Sequence, residues 1–337
     1  MTHIKTSVQT PSNTPVSASS NLPPVVSSHT NCAFSFPASG PLTIPMTNDY
    51  LFRALLQRNN KVLRGLICSL LHLASANVRS VEITNPIELG TSVNDKTFIL
   101  DIRILLNDQT IINLELQVIN QHNWVERSLS YLCRSFDNLQ AGEEYQSVRP
   151  IIQIGLLNFT LFPEHPEFYA TYQLLNVKNH SLYSDKLRLS VLDLTQIKLA
   201  AEEDKQYQID YWASLFKATT WEELNMLAQN NEDFAEASAT VYQLSQEERI
   251  RLECEAREDY YRTQLGIQHM LDRQNAQIET QATKIETQAT KIQSQAAEIE
   301  TQAVTIGALS EKNEFLTAEI NKLRAWMEQH GHDPADI

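Results

Sequence analysis

Two acidic residues, Asp101 and Glu115, lie on neighbouring segments that alternate apolar with polar side chains, the pattern of two half-buried β-strands. If the connecting turn is centred on Asp108, a hairpin places the two acids directly opposite each other. Directly opposed side chains have Cβ atoms about 4.5–5.5 Å apart, and like charges there destabilise the pairing. A divalent cation such as Mg²⁺ would offset this repulsion, because it prefers oxygen ligands and binds through one or two carboxylates and waters.

The same register makes further pairs and leaves one alternative open. It places Arg103 opposite Asn113. It also places Ile99 opposite Gln117. A slip of one residue would turn each of these side chains to the other face. A solvated strand face on which acids happen to alternate therefore competes with the metal site, and these residues alone do not decide between the two.

The elements around these residues indicate an α/β fold. Apolar residues at helical spacing predict a helical segment over 51–73, which Asn59-Asn60 divides into two helices. A second amphipathic helix is predicted over 124–141, ended by Gly142. Segments rich in β-branched and aromatic residues predict strands over 78–83, 97–105, 111–118, 151–157, 168–177 and 187–194.

Charge is distributed unevenly along the 337 residues, of which 27 are basic and 41 acidic, for a net charge of −14. The net charge is +1 over residues 1–40, −1 over 41–200 and −14 over 201–337. An acidic chain argues against a nucleic-acid partner. Because the acidity belongs to the C-terminal part and the α/β core is balanced, it does not exclude DNA as the partner of that core.

Several classes of site are not expected from the composition. The 8 glycines form neither a GxGxxG motif nor a P-loop, which argues against nucleotide-dependent chemistry. The 4 cysteines include no CxxC pair, so neither a zinc knuckle nor a disulfide framework is indicated. No apolar run is long enough for a transmembrane helix, and no signal peptide is recognisable, so we expect a cytoplasmic protein without a membrane partner.

Composition divides the chain into four predicted regions. Residues 1–40 are rich in Ser, Thr, Pro and Asn and predict a disordered leader. Residues 41–198 contain the α/β core. Residues 199–262 are polar, acidic and helical. Residues 263–330 carry a heptad repeat and predict a coiled coil.

The heptad repeat is regular enough to suggest how the helices pair. Its a positions are Ile278, Ile285, Ile292, Ile299, Ile306, Asn313, Ile320 and Met327. Glutamine occupies the first d positions and leucine the last. A buried Asn at position a, here Asn313, favours a parallel two-stranded pairing in register. We therefore expect a parallel dimer, with a single solvated helix as the alternative.

An ordered series of segments resembles a known family. The segments are Asn48-Asp49-Tyr-Leu-Phe52-Arg53, Leu100-Asp101-Ile, Leu114-Glu115-Leu-Gln117, Glu126-Arg127-Ser128-Leu-Ser-Tyr131, Gly142-Glu-Glu-Tyr145, residues 150–157 and Val191-Leu-Asp-Leu. Together they resemble the PD-(D/E)XK nuclease family transposases, also called the recombination-promoting nuclease family. The likeness continues into the helical part around Trp212.

The resemblance implies a restriction-endonuclease-like fold, a central mixed sheet flanked by helices, and metal-dependent cleavage of DNA. It makes residues 41–198 the nuclease-like domain. It assigns Asp101 as the central metal ligand and Glu115 as the acid of the E-x-K element, with Mg²⁺ or another divalent cation as cofactor. Asp49 would be an additional catalytic acid. Arg127 and Tyr131 resemble positions near the substrate backbone.

Gln117, the fourth catalytic candidate, stands where Lys occurs in the signature for which the superfamily is named. Glutamine at that place resembles what this family often shows. A lysine would place a positive charge near the attacking water, whereas a glutamine can only form hydrogen bonds. A second group would then have to supply the cation. Arg103 is one candidate, because it shares a strand face with Asp101.

Two functions follow as alternatives. The first is an Mg²⁺-dependent deoxyribonuclease, an endonuclease linked to recombination or to a transposable element, in which a coiled-coil dimer places two clefts on one duplex. It predicts that the four catalytic candidates, Asp49, Asp101, Glu115 and Gln117, cluster in one open cleft. The second is a catalytically weak or inactive nuclease-fold protein that acts as a coiled-coil assembly or DNA-binding module. It predicts an incomplete metal site or a closed cleft.

Overall fold

The computed structural model describes residues 36–87, 101–137, 139 and 141–331. Its helices are α1 (Asp49–Arg58), α2 (Asn60–Leu70), α3 (Trp124–Phe136), α4 (Glu202–Gln206), α5 (Ile209–Lys217), α6 (Trp221–Ala228), α7 (Glu232–Gln246) and α8 (Glu248–Gln329). Its strands are β1 (Val81–Ile83), β2 (Ile102–Leu106), β3 (Thr110–Gln117), β4 (Ile151–Leu157), β5 (Tyr169–Tyr172) and β6 (Leu187–Asp193).

The six strands form one mixed sheet in the order β1-β2-β3-β4-β6-β5. The first three strands are antiparallel neighbours, whereas β3, β4 and β6 run parallel to one another, and β5 is antiparallel to β6. Helix α3 makes the crossover between parallel strands β3 and β4, as a parallel pair requires. The predicted α/β fold with a central mixed sheet is confirmed.

The predicted element boundaries agree in some places and differ in others. The side chain of Asn59 accepts hydrogen bonds from the first amides of α2, which confirms the division of the first helical segment. Helix α3 ends at Phe136, five residues before its predicted end, since Phe136 is the last residue of its stripe that packs on the sheet. Residues 97–100 of the second predicted strand lie outside the described residues.

Strand β3 is buried on both faces, which positions the polar residues within it. Ile112, Leu114 and Leu116 contribute to the main core with α1 and α2. The alternate side chains, such as Ile111, face α3 and its Leu132. Polar side chains on this second face of β3 therefore lie beneath α3.

Helices α5 to α7 pack into the same core as α1 and α2. Trp212 Nε1 donates to Ser69 Oγ at 2.9 Å, and the rings of Phe52 and Phe216 lie 5.1 Å apart. The division of the chain at residue 198 thus separates segments that share one core, and as a domain boundary it stays a prediction.

The last five residues of the predicted leader, 36–40, contact helix α6, and the leader itself stays a prediction. The ring of Phe36 lies 5.9 Å from that of Trp221, and the backbone N–H of Gly40 donates to the Glu222 carboxylate at 3.0 Å. These contacts with α6 order residues 36–40, and an aromatic side chain that finds a partner explains why. Residues 1–35 lie outside the described residues.

Helix α8 is 82 residues long, and only Ile250, Cys254 and Tyr261 within it are buried. The heptad isoleucines lie in its exposed part: Ile278, for example, is 62% exposed. The coiled coil therefore stays a prediction for the assembled protein. In the part of the chain that the structure describes, no helix is both long and apolar enough to cross a membrane.

Candidate active site

The β2–β3 hairpin sets the register of the two acids. Asn107 and Asp108 adopt left-handed φ angles of 51° and 61°, which Asn and Asp tolerate better than other non-glycine residues. Asn107 Oδ1 also accepts the backbone N–H of Arg79 at 2.7 Å. Arg103 pairs with Asn113, as predicted. The proposed partner of Gln117 in this ladder, residue 99, lies outside the described residues.

Asp101 directly precedes the first paired residue of β2, and helix α1 holds its backbone. Arg53 Nη1 donates to the Asp101 carbonyl at 2.6 Å, and Asn85 Nδ2 donates to the same oxygen at 2.9 Å. Arg53 is only 1% exposed and also donates to the Asn85 carbonyl. One turn later, Gln57 Nε2 donates to the Ile87 carbonyl at 2.6 Å. Helix α1 thereby fixes the strand end that carries Asp101.

Arg53 is a positioning residue that the sequence reasoning missed. The available signal was an arginine on a buried stretch of α1, since a buried arginine requires hydrogen-bond acceptors. Its acceptors are backbone carbonyls, however, and no residue type marks them in the sequence.

Glu115 is 4% exposed and only partly neutralised. Its Oε1 lies 2.5 Å from Arg127 Nη2. Its Oε2 is buried and has no hydrogen-bond partner among the described residues. Burial and, next, the negative charge of Asp101 raise the pKa of Glu115 to about 8, although Arg127 opposes the shift. Burial also raises the pKa of Asp101, against the opposing charges of Arg127 and Arg53.

Gln117 and Tyr131 hold the same arginine. Gln117 Oε1 accepts from Arg127 Nη1 at 3.2 Å, while Gln117 Nε2 donates to the Ile119 carbonyl at 3.0 Å. The Arg127 guanidinium lies 5.5 Å from the centroid of the Tyr131 ring, one turn further along α3. The structure thus brings Arg127, Tyr131 and Gln117 together with Glu115.

Helix α3 is fixed over the sheet at both of its ends. The Trp124 ring packs directly on Gly155, which pairs with Glu115 across β3 and β4, and a Cβ at Gly155 would overlap that ring. At the other end, Asn113 Nδ2 donates to Ser135 Oγ at 2.9 Å. These contacts determine where Arg127 reaches the sheet.

Asp49 lies at the start of α1 but is held by α8. Arg257 Nε donates to Asp49 Oδ1 at 2.8 Å, and Arg257 Nη2 pairs with Asp49 Oδ2. The Asp49 amide donates to the Tyr261 hydroxyl at 3.2 Å. In the described ranges, no three His, Cys, Asp or Glu side chains are placed to hold one metal ion. The expected clustering of Asp49, as an additional catalytic acid, with the acids of the hairpin stays a prediction. Arg257 engages both Asp49 oxygens, and the negative charge of Asp49 is one of the causes that raise the pKa values of Asp101 and Glu115.

Neither Arg257 nor Tyr261 is assigned a role by the sequence analysis. With Cys254, which is also buried, they lie at i, i+3 and i+7 on one face of α8, and this spacing was a usable signal. The Arg257 guanidinium lies 4.8 Å from the Tyr260 ring centroid and 5.2 Å from that of Tyr261. Burial raises the pKa of Tyr261.

The pair formed by Asp101 and Glu115 fits a hard divalent cation. Two carboxylates with waters are a sufficient oxygen set for Mg²⁺. Among the described residues the buried Oε2 of Glu115 receives no hydrogen bond. Burial raises the pKa of both acids, and the negative charge of Asp101 raises that of Glu115 further. These two side chains would hold the cation.

Comparison with known proteins gives one match. The model of the PD-(D/E)XK nuclease family transposases matches residues 46–269. No curated protein and no solved structure matched the chain. The matched region contains the whole sheet, α1 to α7 and the start of α8 with Arg257, and it ends before the heptad isoleucines. The chain belongs to the PD-(D/E)XK nuclease family transposases.

Proposed function

We propose that the protein is a divalent-metal-dependent DNA endonuclease that acts in recombination or transposition. Membership in a family of transposition-related nucleases supports the reaction class. The observation that carries the proposal is the closeness of the carboxyl groups of Asp101 and Glu115. Glu115 is buried, and among the described residues its Oε2 has no hydrogen-bond partner. Two carboxylates this close repel each other unless a proton or a cation joins them.

The reaction is hydrolysis of a phosphodiester. A water oxygen bonds to phosphorus, the bond from phosphorus to the leaving sugar oxygen breaks, and that oxygen takes a proton. A bound cation such as Mg²⁺ would neutralise phosphate charge and lower the pKa of the attacking water. Asp101 and Glu115 would hold the cation, and Arg127 and Tyr131 would contact the substrate backbone. Arg103 is exposed on the same strand face and would add a phosphate contact.

Asp49 contributes to this site as a positioning residue. Its bidentate pair with Arg257 joins the start of α1 to α8, and one turn later α1 carries the Arg53 side chain that holds Asp101. A shift of α1 would therefore move Asp101, because the Asp49–Arg257 pair positions α1 and the Arg53 hydrogen bond connects α1 to Asp101.

Two chains would assemble as a parallel dimer through the heptads of α8, which would present two sites to one duplex. Sedimentation of the full chain and of a chain lacking residues 270–337 tests this. We expect a dimer that becomes a monomer on deletion. If the deletion leaves the oligomeric state unchanged, the predicted coiled-coil dimer is wrong.

A second candidate function is an assembly or DNA-binding module with weak or no catalysis. The specific observation in its favour is the pairing of Glu115 with Arg127, since an acid that already has a cationic partner is less available to a metal ion. This candidate predicts DNA binding without cleavage.

Cleavage of a supercoiled plasmid separates the two functions. We expect nicking with Mg²⁺, none with EDTA, and loss of nicking in Asp101→Ala and in Glu115→Ala. Glu82→Ala is the matched control, because Glu82 is an exposed acid on neighbouring strand β1. Metal-dependent nicking that survives both site substitutions would overturn the site, and absence of cleavage with every divalent metal would favour the assembly module.

A further inference from the structure

We propose that Arg127 supplies the positive charge beside the scissile phosphate and that Gln117 is the positioning residue that holds it there. This inference rests on the proposed nuclease function and adds the source of the cation that a glutamine at position 117 cannot provide. It moves that charge from strand β3 to helix α3.

The guanidinium of Arg127 bridges two neighbouring residues of one strand face. Its Nη2 contacts Glu115 Oε1 at 2.5 Å, and its Nη1 donates to Gln117 Oε1 at 3.2 Å. The Tyr131 ring lies against it. The Arg127 side chain is still 26% exposed, so a substrate phosphate can reach it. A rigid, partly accessible guanidinium is suited to phosphate because its planar fork can donate two hydrogen bonds at once.

Gln117 is chemically matched to this arrangement. Its amide nitrogen is committed to the Ile119 carbonyl, which turns the amide oxygen towards Arg127. A lysine at position 117 has no acceptor atom and would bring a second positive charge against Arg127. The glutamine and the arginine therefore form a complementary pair in which only one residue carries the charge.

A residue in this role must be accessible to a substrate phosphate and must contact Glu115 or Gln117. The other arginines near the site do not meet both requirements. Arg53 is buried and donates to the Asp101 backbone. Arg103 is exposed but pairs across the strands with Asn113, one step along the same face from Glu115. Arg257 binds Asp49. Arg127 alone among these four both contacts Glu115 and remains partly exposed.

The pairing also distinguishes a catalytic charge from a structural one. Arg127 and a bound cation are both attracted to Glu115. If Arg127 acts on the substrate, its removal slows cleavage but leaves metal binding equal or stronger, because a competitor for Glu115 is lost. If Arg127 only holds Glu115 in place for the metal ion, metal binding and cleavage fall together.

The test uses the full chain with the substitutions Arg127→Gln, Arg127→Lys, Gln117→Lys and the double change Arg127→Gln with Gln117→Lys. Arg134→Gln is the matched control, because Arg134 is exposed on the last turn of the same helix. Calorimetric titration with Mn²⁺ in the absence of DNA measures metal affinity. Single-turnover plasmid cleavage with Mg²⁺ measures the chemical step, and thermal melting checks that each variant is folded.

We expect Arg127→Gln to slow cleavage by about 10²–10³-fold, the usual effect of removing one charge-stabilising donor, with Mn²⁺ affinity equal or higher. Arg127→Lys should cleave faster than Arg127→Gln. The double variant should also cleave faster than Arg127→Gln, because the lysine introduced by Gln117→Lys restores the charge from the strand. Arg134→Gln should match the unsubstituted chain in both measurements.

Three results would overturn the inference: cleavage by Arg127→Gln at the unsubstituted rate, a parallel fall of its Mn²⁺ affinity, or equal rates for Arg127→Gln, Arg127→Lys and the double variant. If Gln117→Lys does not fold, the comparison of the two Arg127 variants decides. An unsubstituted chain that neither binds Mn²⁺ nor cleaves refutes the proposed function, and the inference falls with it. An unsubstituted chain whose cleavage Asp101→Ala abolishes keeps that function whatever the Arg127 variants show.

Discussion

Two acid–arginine pairs in the molecule are built differently. In the first, Arg257 engages both carboxylate oxygens of Asp49. In the second, Arg127 engages one oxygen of Glu115, and Asp101 lies beside that acid. The other oxygen of Glu115 is buried and has no hydrogen-bond partner in the part of the chain that the structure describes. The first pair balances one charge with one opposite charge, whereas in the second two acids compete for one guanidinium.

The difference distinguishes a structural contact from a candidate cation site. A buried acid whose two oxygens are satisfied joins α1 to α8, and removal of its partner would leave an uncompensated buried charge. A buried acid that keeps an unsatisfied oxygen and a raised pKa retains an attraction for additional positive charge. An acid and an arginine thus form a structural contact between α1 and α8, whereas the same residue types at Glu115 and Arg127 form part of a candidate cation site.

The largest expected effect is on the satisfied pair. Arg257→Met would leave the Asp49 carboxylate buried and unpaired, and we expect it to lower the free energy of unfolding by about 3–5 kcal/mol. Urea unfolding followed by tryptophan fluorescence measures this. Arg262→Met is the control, because its pair with Asp259 is exposed and worth at most about 1 kcal/mol. Equal losses in the two variants would contradict a special role for the first pair.

Removing the charge of the acid in the second pair, Glu115, should stabilise the metal-free protein at high pH, whereas breaking the first pair destabilises it. The pKa of Glu115 is about 8 in the folded protein against 4.5 for the free side chain, so between these values the folded state binds the extra proton. The stability of the metal-free protein should therefore fall as pH rises from about 5 to about 8, by roughly 3 kcal/mol.

Glu115→Gln should remove most of this dependence, leaving the part that Asp101 contributes, and make the metal-free protein more stable than the unsubstituted chain at pH 8. Urea unfolding in EDTA across this pH range is the measurement. Glu82→Gln, an exposed acid of the same sheet, should keep the pH dependence. Stability that rises between pH 5 and pH 8 in the unsubstituted chain would show that Glu115 is not a strained acid.

A smaller effect concerns the support of Arg127. Gly155→Ala would force the Trp124 ring away from the sheet, and overpacking of this kind costs about 1–3 kcal/mol. We expect lower stability together with slower cleavage, because the start of α3 moves with Trp124. Gly266→Ala is the control with the opposite sign, since a Cβ there meets nothing and alanine favours the helix by about 0.5–1 kcal/mol. If Gly155→Ala is destabilised but cleaves DNA at the unsubstituted rate, the packing of Trp124 does not determine the position of Arg127.

Local chemistry made part of the fold and of the site predictable. Asn107 and Asp108 favour the left-handed turn that sets the β2–β3 register. Asn59 caps α2 by accepting hydrogen bonds from amides two and three residues later in the sequence. The pairing of Arg103 with Asn113 followed from that turn. Such features depend on neighbours in the sequence, so the residue pattern is sufficient.

The remaining features depend on packing between distant segments. Asp49 and Arg257 are 208 residues apart, and nothing near either residue identifies the other. Arg53 binds backbone carbonyls, which every residue has. The position of Arg127 beside Gln117 required the placement of α3 on the sheet, which Gly155 permits by lacking a side chain. Each of these contacts could be recognised only once the packing of the helices on the sheet was known.

The central claim is that Asp101 and Glu115 together form a cation site. Calorimetric titration of the metal-free full chain with Mn²⁺ near pH 7, repeated in buffers with different heats of ionisation, tests it most directly. We predict a single Mn²⁺ site whose occupation releases a proton, because Glu115 with a pKa of about 8 must ionise to bind. Asp101→Asn and Glu115→Gln should each abolish the binding. No binding by the unsubstituted chain, or binding that survives both substitutions, would contradict the claim.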